Sequence, residues 1–154
     1  ERVLYLDSDL VVNRDLQPLF DISLEGKLVA AVGDAGGYGF NAGVLLIDNQ
    51  AWKERQLQET FIKETDRIMV LVQSGQMEDF NGDQTVLNHV LAQDWLALDK
   101  IYNLQVGHDL VAFYSGWNGH FVLDQEPLII HYTASHGTRK LAIATASFGG
   151  TFRP

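Results

Sequence analysis

The sequence predicts an α/β domain, an open sheet with covering helices. Short apolar, partly β-branched runs at residues 3–6, 28–32, 40–48, 95–98 and 127–132 read as strands. Residues 50–72 and 84–93 carry apolar positions at helical spacing. At 154 residues the chain fits a single domain, 1–154, large enough to bury a core.

The first strand ends in the most informative stretch, Leu4-Tyr5-Leu6-Asp7-Ser8-Asp9. Residues 3–6 read as a buried strand, so Asp7 and Asp9 fall at its carboxyl end, the rim where ligands bind in open α/β sheets. Oxygen ligands two residues apart suit a hard divalent cation that bridges to phosphates. The plainer reading is a turn with Asp7 as cap and Asp9 solvated. Next, Asp15-Leu16-Gln17-Pro18 begins one helical turn, with Asp15 as N-cap and Pro18 in the first turn. The strand at 28–32 ends at Gly33-Asp34 and leads into Ala35-Gly36-Gly37-Tyr38-Gly39. That loop has neither the Gly-x-Gly-x-x-Gly spacing of a dinucleotide site nor a P-loop Lys-Ser/Thr, and it reads as a mobile connection beside a site.

Residues 40–48 form a strand apolar enough for burial on both faces. Asn41 and Gly43 at its entry either let a ligand approach the backbone or make a local turn. The 50–72 segment, with Leu57, Phe61, Ile68 and Val72 inward, is a cover helix that can break in two. Asp83 is placed as N-cap of the 84–93 helix. Residues 100–126 hold Tyr102, His108, Phe113, Tyr114, Trp117, His120 and Phe121, rings that either stack on a sugar or fill a satellite core. The last strand, 127–132, ends at His131-Tyr132, and Ser135-His136-Gly137-Thr138-Arg139-Lys140 gathers a dense group of cations.

Composition limits the function classes. With 46% hydrophobic and 20% charged residues, the chain is of ordinary globular make-up. No apolar run reaches the length of a membrane span, and no signal-peptide pattern opens the chain. A net charge of −9 argues against nucleic-acid partners, which need a basic footprint. A phosphate-bearing ligand is compatible only if a metal or local cations offset the repulsion. The absence of cysteine excludes disulfides and thiolate zinc sites and fits a reducing cytoplasm. Glu1-Arg2 leads straight into a strand without a methionine, which suggests a segment of a longer protein.

The order of four blocks carries a resemblance. Leu4-Tyr5-Leu6-Asp7-Ser8-Asp9, Phe40-Asn41-Ala42-Gly43-Val44, Asp83-Gln84 and His131-Tyr132 together resemble glycosyltransferase family 8, over about residues 3–132. That family includes bacterial lipopolysaccharide glucosyl- and galactosyltransferases and glycogenin. The resemblance implies a GT-A type fold, its mixed, mostly parallel sheet flanked by helices, with this chain a fragment of the catalytic domain. It implies retaining transfer of a hexose from a UDP-sugar, UDP-glucose or UDP-galactose, to a glycan, lipopolysaccharide or glycoprotein acceptor. Carried over residue by residue, Asp7, Asp9 and His131 are the ligands of Mn2+ or Mg2+. Asp7, Ser8, Asp9, Asn41, Ala42 and Gly43 surround the donor, and Asp83 and Gln84 sit near the anomeric carbon. Retention in this family is best served by a front-face mechanism in which Asp83 and Gln84 position and stabilise rather than attack.

Two departures bear on these expectations. The family's Lys-Pro-Trp after the histidine strand is absent, so Arg139 and Lys140 are expected to meet the diphosphate from a displaced position. The family also places a half that holds uracil and ribose before the Asp-x-Asp block, and this chain is expected to lack most of it and to be weak or inactive alone. Expected location is the bacterial cytoplasm, with peripheral attachment to the inner membrane face. Two alternatives compete. One is a haloacid-dehalogenase-type phosphatase with Asp7 as nucleophile, which leaves the Asn41 and His131 blocks unexplained. The other is a non-catalytic carbohydrate-binding module whose carboxylates are structural.

Overall fold

The structure, a computed structural model, describes residues 1–37, 39–106 and 126–133. Its elements in chain order are β1 (Arg2–Leu6), β2 (Leu10–Val12), α1 (Gln17–Phe20), β3 (Val29–Gly33), β4 (Phe40–Asp48), α2 (Asn49–Glu54), α3 (Leu57–Gln73), α4 (Gly82–Val90) and β5 (Trp95–Leu98), then a 3-10 turn (Lys100–Tyr102), β6 (Leu104–Gln105) and β7 (Ile129–His131). They build two sheets, of order β1-β4-β3-β5 and β2-β7-β6.

Strand β4 is the axis of the larger sheet, and every residue from Phe40 to Leu46 is buried. From Val44 to Leu46 its side chains alternate between two layers, as a strand's period of two requires, and the irregular β3–β4 register between Ala31 and Gly33 lets Phe40 face the same side as Leu45. Val44 and Leu46 join Ala30, Leu19, Leu24, Leu128 and Ile129 on one side. Phe40 and Leu45 join Val29, Ala31, Leu57 and Leu91 on the other, where α2, α3 and α4 supply the cover. The 50–72 segment does break in two, at Arg55 and Gln56, and Gln56 takes a left-handed φ of 50°. Trp52 stacks on Phe61 with ring centroids 5.0 Å apart, which fixes α2 against α3.

Several expectations need correction. The sheet is mixed but not mostly parallel: β1–β4, β3–β4 and β2–β7 are antiparallel, whereas β3–β5 and β6–β7 are parallel. The cause is a short connection: the glycine-rich loop is too brief for a crossover, so β3 and β4 form a hairpin. The first strand is not buried on both faces. Leu4 and Leu6 pack inward, but Val3 and Tyr5 stay 40% and 42% exposed on an edge strand of the described sheet. Asp15 caps from one residue further out than expected: Leu16 holds the N-cap position, and Asp15 accepts from the Gln17 amide at 3.0 Å. Helix α4 starts earlier than 84, with Asn81 at its N-cap, so Asp83 lies in the first turn instead. Its negative charge still complements the helix dipole there. Residues 107–125 of the aromatic segment, Arg139 and Lys140 lie outside the described residues.

Two loop glycines separate backbone strain from steric fit. Gly39 (φ +74°) abuts Asn88, which clamps Phe40 by accepting from its amide and donating to its carbonyl, each at 2.8 Å. Gly37 (φ +85°) has open space where a Cβ would go. Gly37→Ala should cost about 1–2 kcal/mol for the left-handed backbone alone. Gly39→Ala should cost clearly more, because a Cβ there would displace the Asn88 clamp. Urea denaturation of the two variants checks the order, and equal costs would show the clamp to be dispensable.

Candidate metal and donor site

The site forms where the two sheets meet. At the end of β1 the Asp7 amide donates to the Gly43 carbonyl of β4 at 2.9 Å. Three residues later the chain enters β2, whose Leu10 is paired with His131 of β7. The Tyr132 amide donates to the Asp9 carbonyl at 2.9 Å, which sets that register. Asp7-Ser8-Asp9 thus crosses from one sheet to the other, and the antiparallel pairing delivers His131 to the same place.

The three side chains converge: one ligand atom from each of Asp7, Asp9 and His131 lies within 4.8 Å of the others. His131 Nε2 is 3.2 Å from Asp9 Oδ1 and 3.7 Å from Asp7 Oδ2. The imidazole is buried, at 3% exposure, while the Asp7 and Asp9 side chains keep 37% and 45%. The cluster therefore opens outward through its carboxylates. Gly43 makes room for it, since a Cβ there would overlap His131 Cε1 and press on Asp7 Oδ2. Ser8 is exposed between the two carboxylates.

Behind the cluster runs a buried chain of amides. Asn41 Oδ1 accepts from the Gly43 amide at 3.1 Å and from Asn103 Nδ2 at 2.8 Å. Asn41 Nδ2 donates to Gln84 Oε1 at 3.2 Å, and the Ala42 amide donates to the same oxygen at 3.0 Å. Gln84 Nε2 then donates to Asp34 Oδ1 at 3.1 Å. At the other end Asn103 Oδ1 meets His131 Nδ1 at 3.0 Å. Asn41, Gln84, Asn103 and His131 are all buried. Asn41 bonds locally to Gly43, as one of its two readings expects, and it also stands in the buried chain behind the cluster. Asp34 and Gln84 also line a cleft of about 520 Å³ shared with Glu78, Asp79, Phe80 and Asn81.

Tyr5 closes the carboxylate side. Its hydroxyl donates to Asp7 Oδ1 at 2.8 Å, leaving Asp7 Oδ2 to face the histidine. That hydrogen bond, then partial burial and the negative charges of Asp7 and Asp83, push the Tyr5 phenol up to about 12 from an ordinary 10.0. Asp83 is thereby within electrostatic reach of the cluster, although it is exposed and its Oδ1 accepts from the Gln84 amide.

Sequence reasoning passed over Asp34, Asn103 and Tyr5 as site residues. Asp34 had a usable signal, as a carboxylate at a strand's carboxyl end. Asn103 had none, being one polar residue among aromatic neighbours.

Comparisons with known proteins identify the family. The model of glycosyl transferase family 8 matches residues 1–138. The chain belongs to glycosyl transferase family 8. It is 52% identical over 133 residues to the glycosyltransferase GlyD of Streptococcus pneumoniae serotype 4, a match that covers 86% of this chain and 16% of GlyD. The crystal structure of GlyE from S. pneumoniae TIGR4 superposes with a TM-score of 0.73 at 36% identity, over 87% of this chain and 34% of GlyE. A galactosyltransferase, LgtC, solved with donor and acceptor sugar analogues, shares the fold at a TM-score of 0.61 and 20% identity, over 97% of this chain and 62% of LgtC. The family 8 chain described here thus spans only part of these relatives. Its fold is of the type those glycosyltransferases share, so the GT-A expectation holds.

The phenol gives a test of the carboxylate side. Because its folded pKa is raised, Tyr5 contributes stability that is fully present below pH 10 and lost as pH rises through about 12. Spectrophotometric titration in EDTA should show one tyrosine ionising late, absent in Tyr5→Phe. A late tyrosine that persists in that variant would remove the Tyr5–Asp7 assignment.

Proposed function

We propose that this chain is the metal- and donor-binding part of a retaining glycosyltransferase. On this reading the longer protein moves a hexose from UDP-glucose or UDP-galactose to a glycan, lipopolysaccharide or glycoprotein acceptor. The observation that carries the proposal is the convergence of Asp7, Asp9 and His131 at an outward-facing point beside Gly43. Two carboxylates with one imidazole suit Mn2+ or Mg2+, and the imidazole favours manganese. The donor set fits the group that the family implies. Such a cation, when bound, offsets the charge of the diphosphate and of the departing UDP.

The chain's own residues support specific roles. Gln84 Oε1 already accepts two hydrogen bonds, from Asn41 and the Ala42 amide. An amide oxygen so engaged is suited to holding β4 and α4 in place, not to attacking a sugar carbon. That favours front-face transfer, with Gln84 as a positioning group. Asp83, exposed and close enough to Tyr5 to act on its phenol, is the better placed of the pair to meet the donor sugar. The cleft lined by Asp34 and Gln84 is of a size that accommodates a sugar ring. Arg139 and Lys140 stay in the proposal as diphosphate contacts, from the sequence alone. The phosphatase alternative has no use for Asn41 or His131, yet these two residues build the back of the site.

Calorimetric titration of UDP, with manganese and then with EDTA, tests the proposal on this chain and on the longer natural protein. Binding should require manganese. Asp9→Ala should weaken manganese binding by at least about 100-fold, beyond the 10–100-fold typical of losing an outer-sphere partner. UDP binding that is indifferent to EDTA, or to the loss of Asp9, would remove the metal assignment. Gly43→Ala, in ordinary strand backbone, should weaken manganese binding too, because its methyl group displaces His131 and Asp7 together.

A further inference from the structure

We propose that Asn103 is a positioning residue that fixes the protonation pattern and orientation of His131, so that Nε2 faces Asp7 and Asp9 as a free electron pair for a divalent cation. The inference rests on the metal reading given above and adds a residue to it. The Gly43 amide can only donate, so the Asn41 atom it meets at 3.1 Å must be the carbonyl oxygen Oδ1. The Asn103 group that meets the same oxygen at 2.8 Å must then be its NH2. This places Asn103 Oδ1, an acceptor, against His131 Nδ1 at 3.0 Å. Nδ1 must therefore carry a proton, which leaves Nε2 as the nitrogen able to offer an electron pair to a cation. Nε2 is the nitrogen that points at the carboxylates, 3.2 Å from Asp9 Oδ1.

Three further facts support a dedicated role. Asn103 is among the largest fully buried side chains, at 1% exposure. A buried polar side chain is costly unless its groups are bonded, and here both ends of the amide are bonded to the site. It is also held in place by its own backbone: the 3-10 turn ends at Asn103, whose amide donates to the Lys100 carbonyl at 3.1 Å. Metal-ligating histidines commonly donate their other ring N–H to an acceptor, which fixes the ring and raises its basicity. Through Asn41 the same amide ties His131 to Gln84 and Asp34, so the metal side and the sugar side of the site share one rigid framework.

The test compares Asn103→Leu with Asn103→Asp, reading manganese affinity from the electron paramagnetic resonance signal of the free ion and stability from urea denaturation. Leucine removes the acceptor and should weaken manganese binding by about 10–100-fold. Aspartate keeps an acceptor for Nδ1–H but sets a carboxylate against Asn41 Oδ1. It should keep manganese affinity within a few-fold of wild type while losing stability. A merely structural role would make affinity follow stability, so that aspartate falls as far as leucine. That result, or a leucine variant that binds like wild type, overturns the proposal. Nitrogen NMR of the magnesium-loaded wild-type chain should find the His131 ring proton on Nδ1, and a proton on Nε2 there would also overturn it. A wild-type chain that binds no manganese would instead remove the metal reading, and this inference with it.

Discussion

The candidate site depends on one register. Leu10 opposite His131, with the Tyr132 amide bonded to the Asp9 carbonyl, brings into contact residues separated by more than 120 positions in sequence. Side chains alternate along a strand, so a slip of one residue would turn His131 to the opposite face and separate it from the carboxylates. The ladder is only three residues long, too short to be stable alone. It is held by its surroundings. Ile129 and Leu128 are buried with Leu19, Val44 and Leu46, and Gln105, paired with His131, bonds the Gly33 carbonyl at the end of β3 and the Ala35 amide in the turn after it.

That arrangement explains why the back of the site is polar in an otherwise apolar interior. Two sheets meeting at an angle leave strand ends whose amides and carbonyls have no ladder partner. Asn41, Gln84, Asn88 and Gln105 supply those partners with uncharged side chains. Neutral amides are suited to this: each has a donor and an acceptor end, so they form chains without a buried charge that would need compensation. The same groups that complete the fold hold His131 and Gln84. Stability and site geometry therefore share residues, and the variants that separate them are those that keep an acceptor in place.

The parts of this structure legible in the sequence are those that repeat a local pattern. Strand β5 at Trp95–Leu98, the buried β4 and the break between α2 and α3 follow from apolar periodicity and length. Asp7, Asp9 and His131 were legible from the ordered blocks of a known family. Strands β2 and β6 were not, since two or three residues give no period. The exposure of β1 was hidden for a similar reason: an apolar run looks the same whether one face or both are covered. Asn103 was illegible because its meaning lies wholly in partners at positions 41 and 131. A polar residue whose side-chain bonds are all long-range leaves no mark on its neighbours.

Charge supplies the last constraint. Asp7, Asp9, Asp34, Glu78, Asp79 and Asp83 stand in or around the site and its adjoining cleft, in a chain of net charge −9. Among the described residues, the Asp7 and Asp9 carboxylates face Tyr5 and His131, with no lysine or arginine against them. Like charges about 4 Å apart repel by about 1 kcal/mol per pair in water and by more where solvent is excluded. A diphosphate brought to two carboxylates meets several such pairs at once, and neutral amides behind them offset none of it. On the proposed reading, a divalent cation is therefore a condition for donor binding and not an accessory to it. Tyr5 and the Asn103–His131 bond act on the same balance from two sides. One occupies Asp7 Oδ1 with a proton donor, and the other turns an electron pair toward the opening. Among the described residues, what faces outward is then a set of acceptors that a divalent cation would complete.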